Sequence, residues 1–223
     1  MQEEIKSEGK CLFCGETFAK AGINKHLSAH LKERTKESEN AGCSFLVKVE
    51  TDKRWGATPY FLSLWVDGET TMKTIDQFLR DIWLECCGHL SEFENVAMTK
   101  KARNVFAKGM KLDYEYDFGS STQLTLTTVE EYPMKADKKI VLLSRNEPEK
   151  VLCAMCGKEP ATKICPFCVY ERPAWFCDKC AKKHAKKCED FDENEALPVV
   201  NSPRMGVCAY SGGSIDMERD GAF

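Results

Sequence analysis

Residues 153–188 read CAMCGKEPATKICPFCVYERPAWFCDKCAKKHAKKC. The residues able to ligate metal are Cys153, Cys156, Cys165, Cys168, Cys177, Cys180, His184 and Cys188, spaced C-x2-C-x8-C-x2-C-x8-C-x2-C-x3-H-x3-C. Zinc takes four N or S donors in a tetrahedron, so eight ligands serve two ions. With every position filled by protein, neither ion keeps a place for water, and both are expected to be structural. The pairing follows from helix geometry. If AKKHAKKC is helical, Cys180 and Cys188 lie ~12 Å apart along the axis at ~1.5 Å per residue. Bonds of ~2.0–2.3 Å do not easily gather such positions. A crossed arrangement is therefore predicted: Cys153, Cys156, Cys177 and Cys180 on one ion, Cys165, Cys168, His184 and Cys188 on the other.

The ligand pattern resembles the MYND-type and HIT-type cross-brace fingers. That resemblance implies a module that docks protein partners, the MYND type often recognising proline-containing peptides. Trp175 and Phe176, beside Cys177, are candidates to line such a groove, although packing against an adjacent domain is the favoured role. The helix also carries Lys179, Lys182, Lys183, Lys186 and Lys187. These lysines suit phosphate, but a solvated face offsetting anionic zinc–thiolate sites is preferred.

Toward the N-terminus, Cys11, Cys14, His26 and His30 are spaced C-x2-C-x11-H-x3-H. A CxxC knuckle places two thiolates on one ion, and histidines at i and i+4 share a helix face. The segment resembles a Cys2His2 finger, with Phe18 and Ile23 as its small apolar cluster. The base-reading positions of such a finger fall at about Ala19, Gly22 and Lys25. Only Lys25 offers a donor, so the finger reads first as a folding or docking unit. Together the two ligand sets supply twelve residues, enough for three tetrahedral zinc sites. The polar run KERTKESEN, 32–40, reads as a linker or frayed helix end.

Between these modules, SFLVKV (44–49) and PYFLSLWV (59–66) read as strands. Thr74 to Cys87 reads as a helix, with Thr74 and Gln77 as a capping box and Gly88 at its C-terminal cap. Its apolar stripe is Ile75, Phe78, Leu79, Ile82, Trp83 and Cys86. KLDYEYDF and QLTLTTVEEY read as strands joined by the turn around Gly119 to Ser121, and KIVLL (139–143) as another. Strands flanking one central helix predict an α+β domain over 41–149, between a finger and linker (1–40) and the two-zinc module (150–190). The tail, 191–223, opens acidic and continues LPVVNSPRMGVCAYSGG, which is apolar enough to be expected to pack back on the body as an extended strand.

The order strand, strand, helix ending ECCGHLSEF, then YEYDFG resembles the plasmid pRiA ORF-three-like family, also labelled transposon-passenger TnpR-like proteins. The resemblance spans roughly 41–145. It implies a fold rather than a mechanism, and a prokaryotic subgroup with added binding surfaces. Family members often follow YDFG with Asp, Trp and His, where Ser120, Ser121 and Thr122 stand here.

Two features could indicate chemistry. Cys86, Cys87 and His89 cluster at a helix end, as a nucleophile or part of a fourth metal site, but Cys86 reads more simply as a small buried hydrophobe. Asp113, Glu115 and Asp117 alternate along a strand and read as a solvated face.

The whole chain has 223 residues, a formal charge of −3, 43% hydrophobic and 30% charged residues. That balance suits a folded, soluble protein and excludes a uniformly basic coat for nucleic acid. No signal peptide or membrane span is expected. Thirteen cysteines without a signal sequence suggest metal ligation in a cytoplasmic setting. The expected function is a non-enzymatic adaptor with three structural zinc ions, docking a protein partner. The alternatives are a nucleic-acid-binding accessory factor of a mobile element and, last, a Cys/His enzyme using residues 86–89.

Overall fold

Period-two burial and near-continuous apolar runs build a six-stranded antiparallel sheet. In the computed structural model, which describes residues 7–37, 39, 41–51, 58–192 and 194–215, the chain is α+β and divides into two compact units. The first comprises described residues up to 79 together with 90–147; the second comprises 80–89 and the described residues from 148.

In the first unit, β1 (Glu8–Lys10) and β2 (Thr17–Ala19) form a hairpin and α1 spans Ile23–Glu37. The sheet then uses β3 (Ala41–Thr51), β4 (Phe61–Asp67), β5 (Ser91–Phe93), β6 (Lys111–Tyr116), β7 (Thr122–Met134) and β8 (Ile140–Arg145), in the order β5-β6-β7-β3-β4-β8. All its pairings are antiparallel. Successive side chains of a strand point to opposite faces, and β4 is buried at six consecutive positions, so both of its faces are covered. On one face lie Phe61 and Trp65, in a core with Leu46, Tyr132, Met134 and Leu143. Cys11, Ile23, Leu27 and Leu31 belong to the same core. The described part of the N-terminal finger thus shares a core with the sheet. The Arg34 guanidinium lies 5.4 Å from the Trp65 ring centroid and pairs with Asp137 at 2.7 Å. Gly9 is fixed by this close approach, because a Cβ there would meet the Arg145 carbonyl oxygen at 2.7 Å.

The helix expected at Thr74 to Cys87 is differently bounded. α2 spans Met72–Leu79, and a π-helical turn follows at Arg80–Leu84. The cap is Thr71: its hydroxyl oxygen accepts the Thr74 N–H at 3.3 Å. The Met72 and Lys73 N–H groups donate to the carbonyls of Lys100 and Met98, so the first turn is satisfied from outside the helix. The Tyr114 and Ser91 hydroxyls donate to the buried Asp76 carboxylate at 2.8 and 2.6 Å. Asp113 and Glu115 are half-buried on β6, but the strand ends before Asp117, which is buried at φ 62°. Its carboxylate accepts the N–H groups of Gly119 and Ser120. Asp117 therefore closes the turn and does not extend the acidic face.

In the second unit, the π-turn widens the helix by one residue, as the Glu85 N–H to Arg80 carbonyl bond of 2.9 Å shows. Ile82, Trp83 and Leu84 are all buried. β9 (Lys163–Ile164), β10 (Trp175–Phe176) and β11 (Leu197–Pro198) make a small sheet in the order β10-β9-β11, and α3 spans Asp178–His184. Among the described residues of the tail, only Leu197 and Pro198 pair as a strand. Beyond them the chain turns, burying Ser202, Arg204 and Tyr210. The Ser202 hydroxyl donates to the Trp83 carbonyl at 2.7 Å.

Candidate metal centres

Among the described residues the fold gathers four sets of thiol and imidazole donors, each set with its ligand atoms within 4.8 Å of one another. Each could hold a metal ion.

The first set is Cys11, Cys14, His26 and His30. The knuckle closes through the Gly15 N–H to Cys11 carbonyl bond, 2.8 Å, with Gly15 at φ 80°, a region that glycine enters freely. α1 turns Ile23, Leu27 and Leu31 into the core and presents His26 and His30 one turn apart. The two Nε2 atoms approach to 3.0 Å, and His26 Nε2 lies 3.2 Å from the Cys14 sulfur. Phe18 stacks on the His26 ring at 3.9 Å. Burial, then the neighbouring His30, lowers the His26 pKa, favouring the neutral ring that a metal needs. The finger register expected for base reading is displaced: α1 begins at Ile23, so Ala19 lies on β2, Gly22 precedes the helix and only Lys25 is on it.

Cys153, Cys156, Cys177 and Cys180 make the second set, and Cys165, Cys168, His184 and Cys188 the third. This is the crossed arrangement. α3 ends at His184, so Cys188 comes from the following turn, where its N–H donates to the His184 carbonyl at 3.0 Å. The two sets share the core of the module through Phe176, Ala181 and Phe191.

The electrostatics of these sets call for a cation. Burial pushes the Cys153 thiol up, but the backbone N–H groups of Cys177, Cys156 and Met155 bring it down to about 6. Cys180 is pushed up to about 12, first by burial and then by the thiols of Cys177, Cys153 and Cys156. Four crowded sulfurs cannot all ionise without a positive ion between them. In the third set, the His184 ring is buried between Phe176, 4.4 Å away, and Phe191, 5.0 Å away. Its Nε2 has no hydrogen-bond partner among the described residues. A buried imidazole nitrogen needs a partner, and a metal ion held with the three cysteines of the set would supply one.

Trp175 is half-buried. Phe176 is buried within the module's own core rather than lining a groove. The five lysines of 179–187 are exposed.

Cys86, Cys87, His89 and Cys208 make the fourth set. Cys86 is half-buried with its sulfur among these donors, so the hydrophobe reading does not describe it. Cys208 is the member that the sequence did not single out. It stands alone, far from the other three, with no CxxC spacing to mark it.

No family model matches the chain, and no curated protein matches it. Among solved structures, it is similar to a crystal structure of a protein of unknown function from Methanosarcina mazei Go1, at 16% identity and a TM-score of 0.36, over 48% of this chain and 70% of that one. A likeness this slight carries no argument about function. No helix among the described residues is long and apolar enough to cross a membrane.

Proposed function

We propose that this is a cytoplasmic, non-enzymatic adaptor whose modules are held by structural zinc and which docks a protein partner. The central α+β domain is read as a member of the plasmid pRiA ORF-three-like family. The observation that carries the zinc reading is the buried His184 ring, which offers a nitrogen beside three cysteine sulfurs and whose Nε2 has no hydrogen-bond partner among the described residues. Thiolate and imidazole are zinc's preferred ligands, and four of them close the coordination sphere against substrate. Docking is supported by the large apolar side chains that the two-zinc module leaves exposed: Leu152, Met155, Phe167 and Tyr170, the last at 67%. Native mass spectrometry of the reduced, full-length protein should find at least three zinc ions per chain. One ion or none would end this reading.

The exposed lysines favour a second reading, contact with nucleic-acid phosphate. Lysines offer point charges rather than bidentate readers, so such binding would be steeply salt-dependent. Acidic residues follow them at Glu189, Asp190, Asp192 and Glu195, with Glu193 outside the described residues. We expect duplex DNA to bind no tighter than about micromolar at physiological salt. A nanomolar complex, lost when Lys182, Lys183, Lys186 and Lys187 become Gln, would put the accessory-factor reading first.

A further inference from the structure

We propose that Cys86, Cys87, His89 and Cys208 form a fourth zinc site, which fastens the C-terminal tail to the turn after the π-helical segment. This goes beyond the three-site reading and stands on different residues.

The geometry is that of a ligand set. The Cys87 sulfur lies 2.9 Å from His89 Nε2, 3.5 Å from the Cys208 sulfur and 3.7 Å from the Cys86 sulfur. Cys208 sulfur and His89 Nε2 are 3.6 Å apart. Bonds of ~2.0–2.3 Å in a tetrahedron place donors roughly 3.3–3.8 Å from one another, and most of these separations fall in that range. A disulfide would account for two of the four groups. A nucleophilic thiol would account for one thiol and the imidazole. A cation accounts for all four.

The scaffold is built to hold them there. The Arg80 guanidinium donates to the Glu85 carboxylate and to the His89 carbonyl, both at 2.7 Å, and Glu85 accepts the Gly88 N–H at 2.5 Å. Gly88 is left-handed at φ 79°, Gly206 at 77° and Cys208 at 53°. Cysteine rarely adopts that region, and a residue held in it is one whose surroundings fix it. Farther along the tail, the Ser214 N–H donates to the Asp81 carbonyl at 2.7 Å. A Cβ on Gly213 would collide with the Ile82 carbonyl, so the tail lies against the π-turn itself.

Charge selects the ion. Arg204 is fully buried, and its guanidinium faces the Cys86 sulfur at 3.5 Å. Three thiolates beside one guanidinium leave a local charge of −2, which a single divalent cation neutralises. Two or more thiolates with an imidazole favour zinc over harder divalent ions.

Zinc is counted in the full-length reduced protein and in Cys208→Ser. Cys87→Ser, at an exposed position, is made beside it because Cys208 sits in a strained turn. Four ions per chain are expected in the parent and one fewer in each variant. The thiol of Cys87 is also labelled with N-ethylmaleimide in the zinc-loaded native protein. Slow labelling that becomes fast in Cys208→Ser supports the site whatever the count elsewhere. Rapid labelling of Cys87 in the parent, or the same zinc count in parent and variants, overturns it. A parent count of three, unchanged in the variants, leaves the three-site reading standing.

Discussion

His184→Ala is expected to unfold the module of residues 153–188. The histidine supplies one donor of four to its set and fills the space between Phe176 and Phe191. Structural zinc in small modules is worth ~10–16 kcal/mol of apparent folding free energy. Whole domains have net stabilities of about 5–15 kcal/mol. Losing much of the first quantity exceeds what a core of a few small side chains can offset. Backbone amides of the module should lose hydrogen-exchange protection, and the protein should retain at least one zinc ion fewer. The crossing makes the loss cooperative, because α3 carries Cys180 to one set and His184 to the other. His184→Cys, which keeps a zinc-competent donor, should retain the metal. A His184→Ala protein with unchanged protection would show that the third set holds nothing.

Cys11→Ser is expected to undock the N-terminal finger and destabilise the sheet beneath it by on the order of 5 kcal/mol. Cys11 is fully buried, in one core with Ile23, Leu27, Leu31, Trp65 and Met134. The substitution removes a metal ligand and leaves a hydroxyl in apolar surroundings, where it costs ~1–3 kcal/mol unless it finds a partner. Leu27→Ala separates packing from metal. It should cost ~2–5 kcal/mol through the cavity it leaves and keep the metal count unchanged. Chemical denaturation with parallel zinc measurement checks both. If Cys11→Ser melts like the parent, the first set is not a metal site.

What was legible in the sequence was what is local. CxxC knuckles and a His-x3-His pair carry their geometry in their spacing, so three donor sets could be written down by residue number. The crossed pairing was reached from a helix running through Cys188. The structure ends that helix at His184, yet Cys180 and Cys188, the pair whose separation carries the argument, still fall in different sets. The strands could be read because β-branched and aromatic runs stop at clear turn residues. The helix bounds could not. Thr71 and Thr74 both suit a cap, and backbone partners from residues 98 and 100 decided between them. The π-turn at Arg80–Leu84 interrupts the apolar stripe that the sequence carries on to Cys86. Cys208 was illegible because its role depends on the tail returning across more than a hundred residues, and a solitary cysteine carries no spacing.

The central claim is that closed, all-protein zinc sites hold this fold. Zinc-edge X-ray absorption of the fully loaded protein tests it most directly. The first set offers two sulfurs and two nitrogens, the second four sulfurs, and the third three sulfurs and one nitrogen. The fourth set repeats the third, so the average is the same whether three or four sets are filled. The account predicts four-coordinate zinc with three sulfurs and one imidazole nitrogen per ion, with sulfur at ~2.3 Å and nitrogen at ~2.0–2.1 Å. A shell rich in oxygen, or a fifth ligand from water, would contradict it.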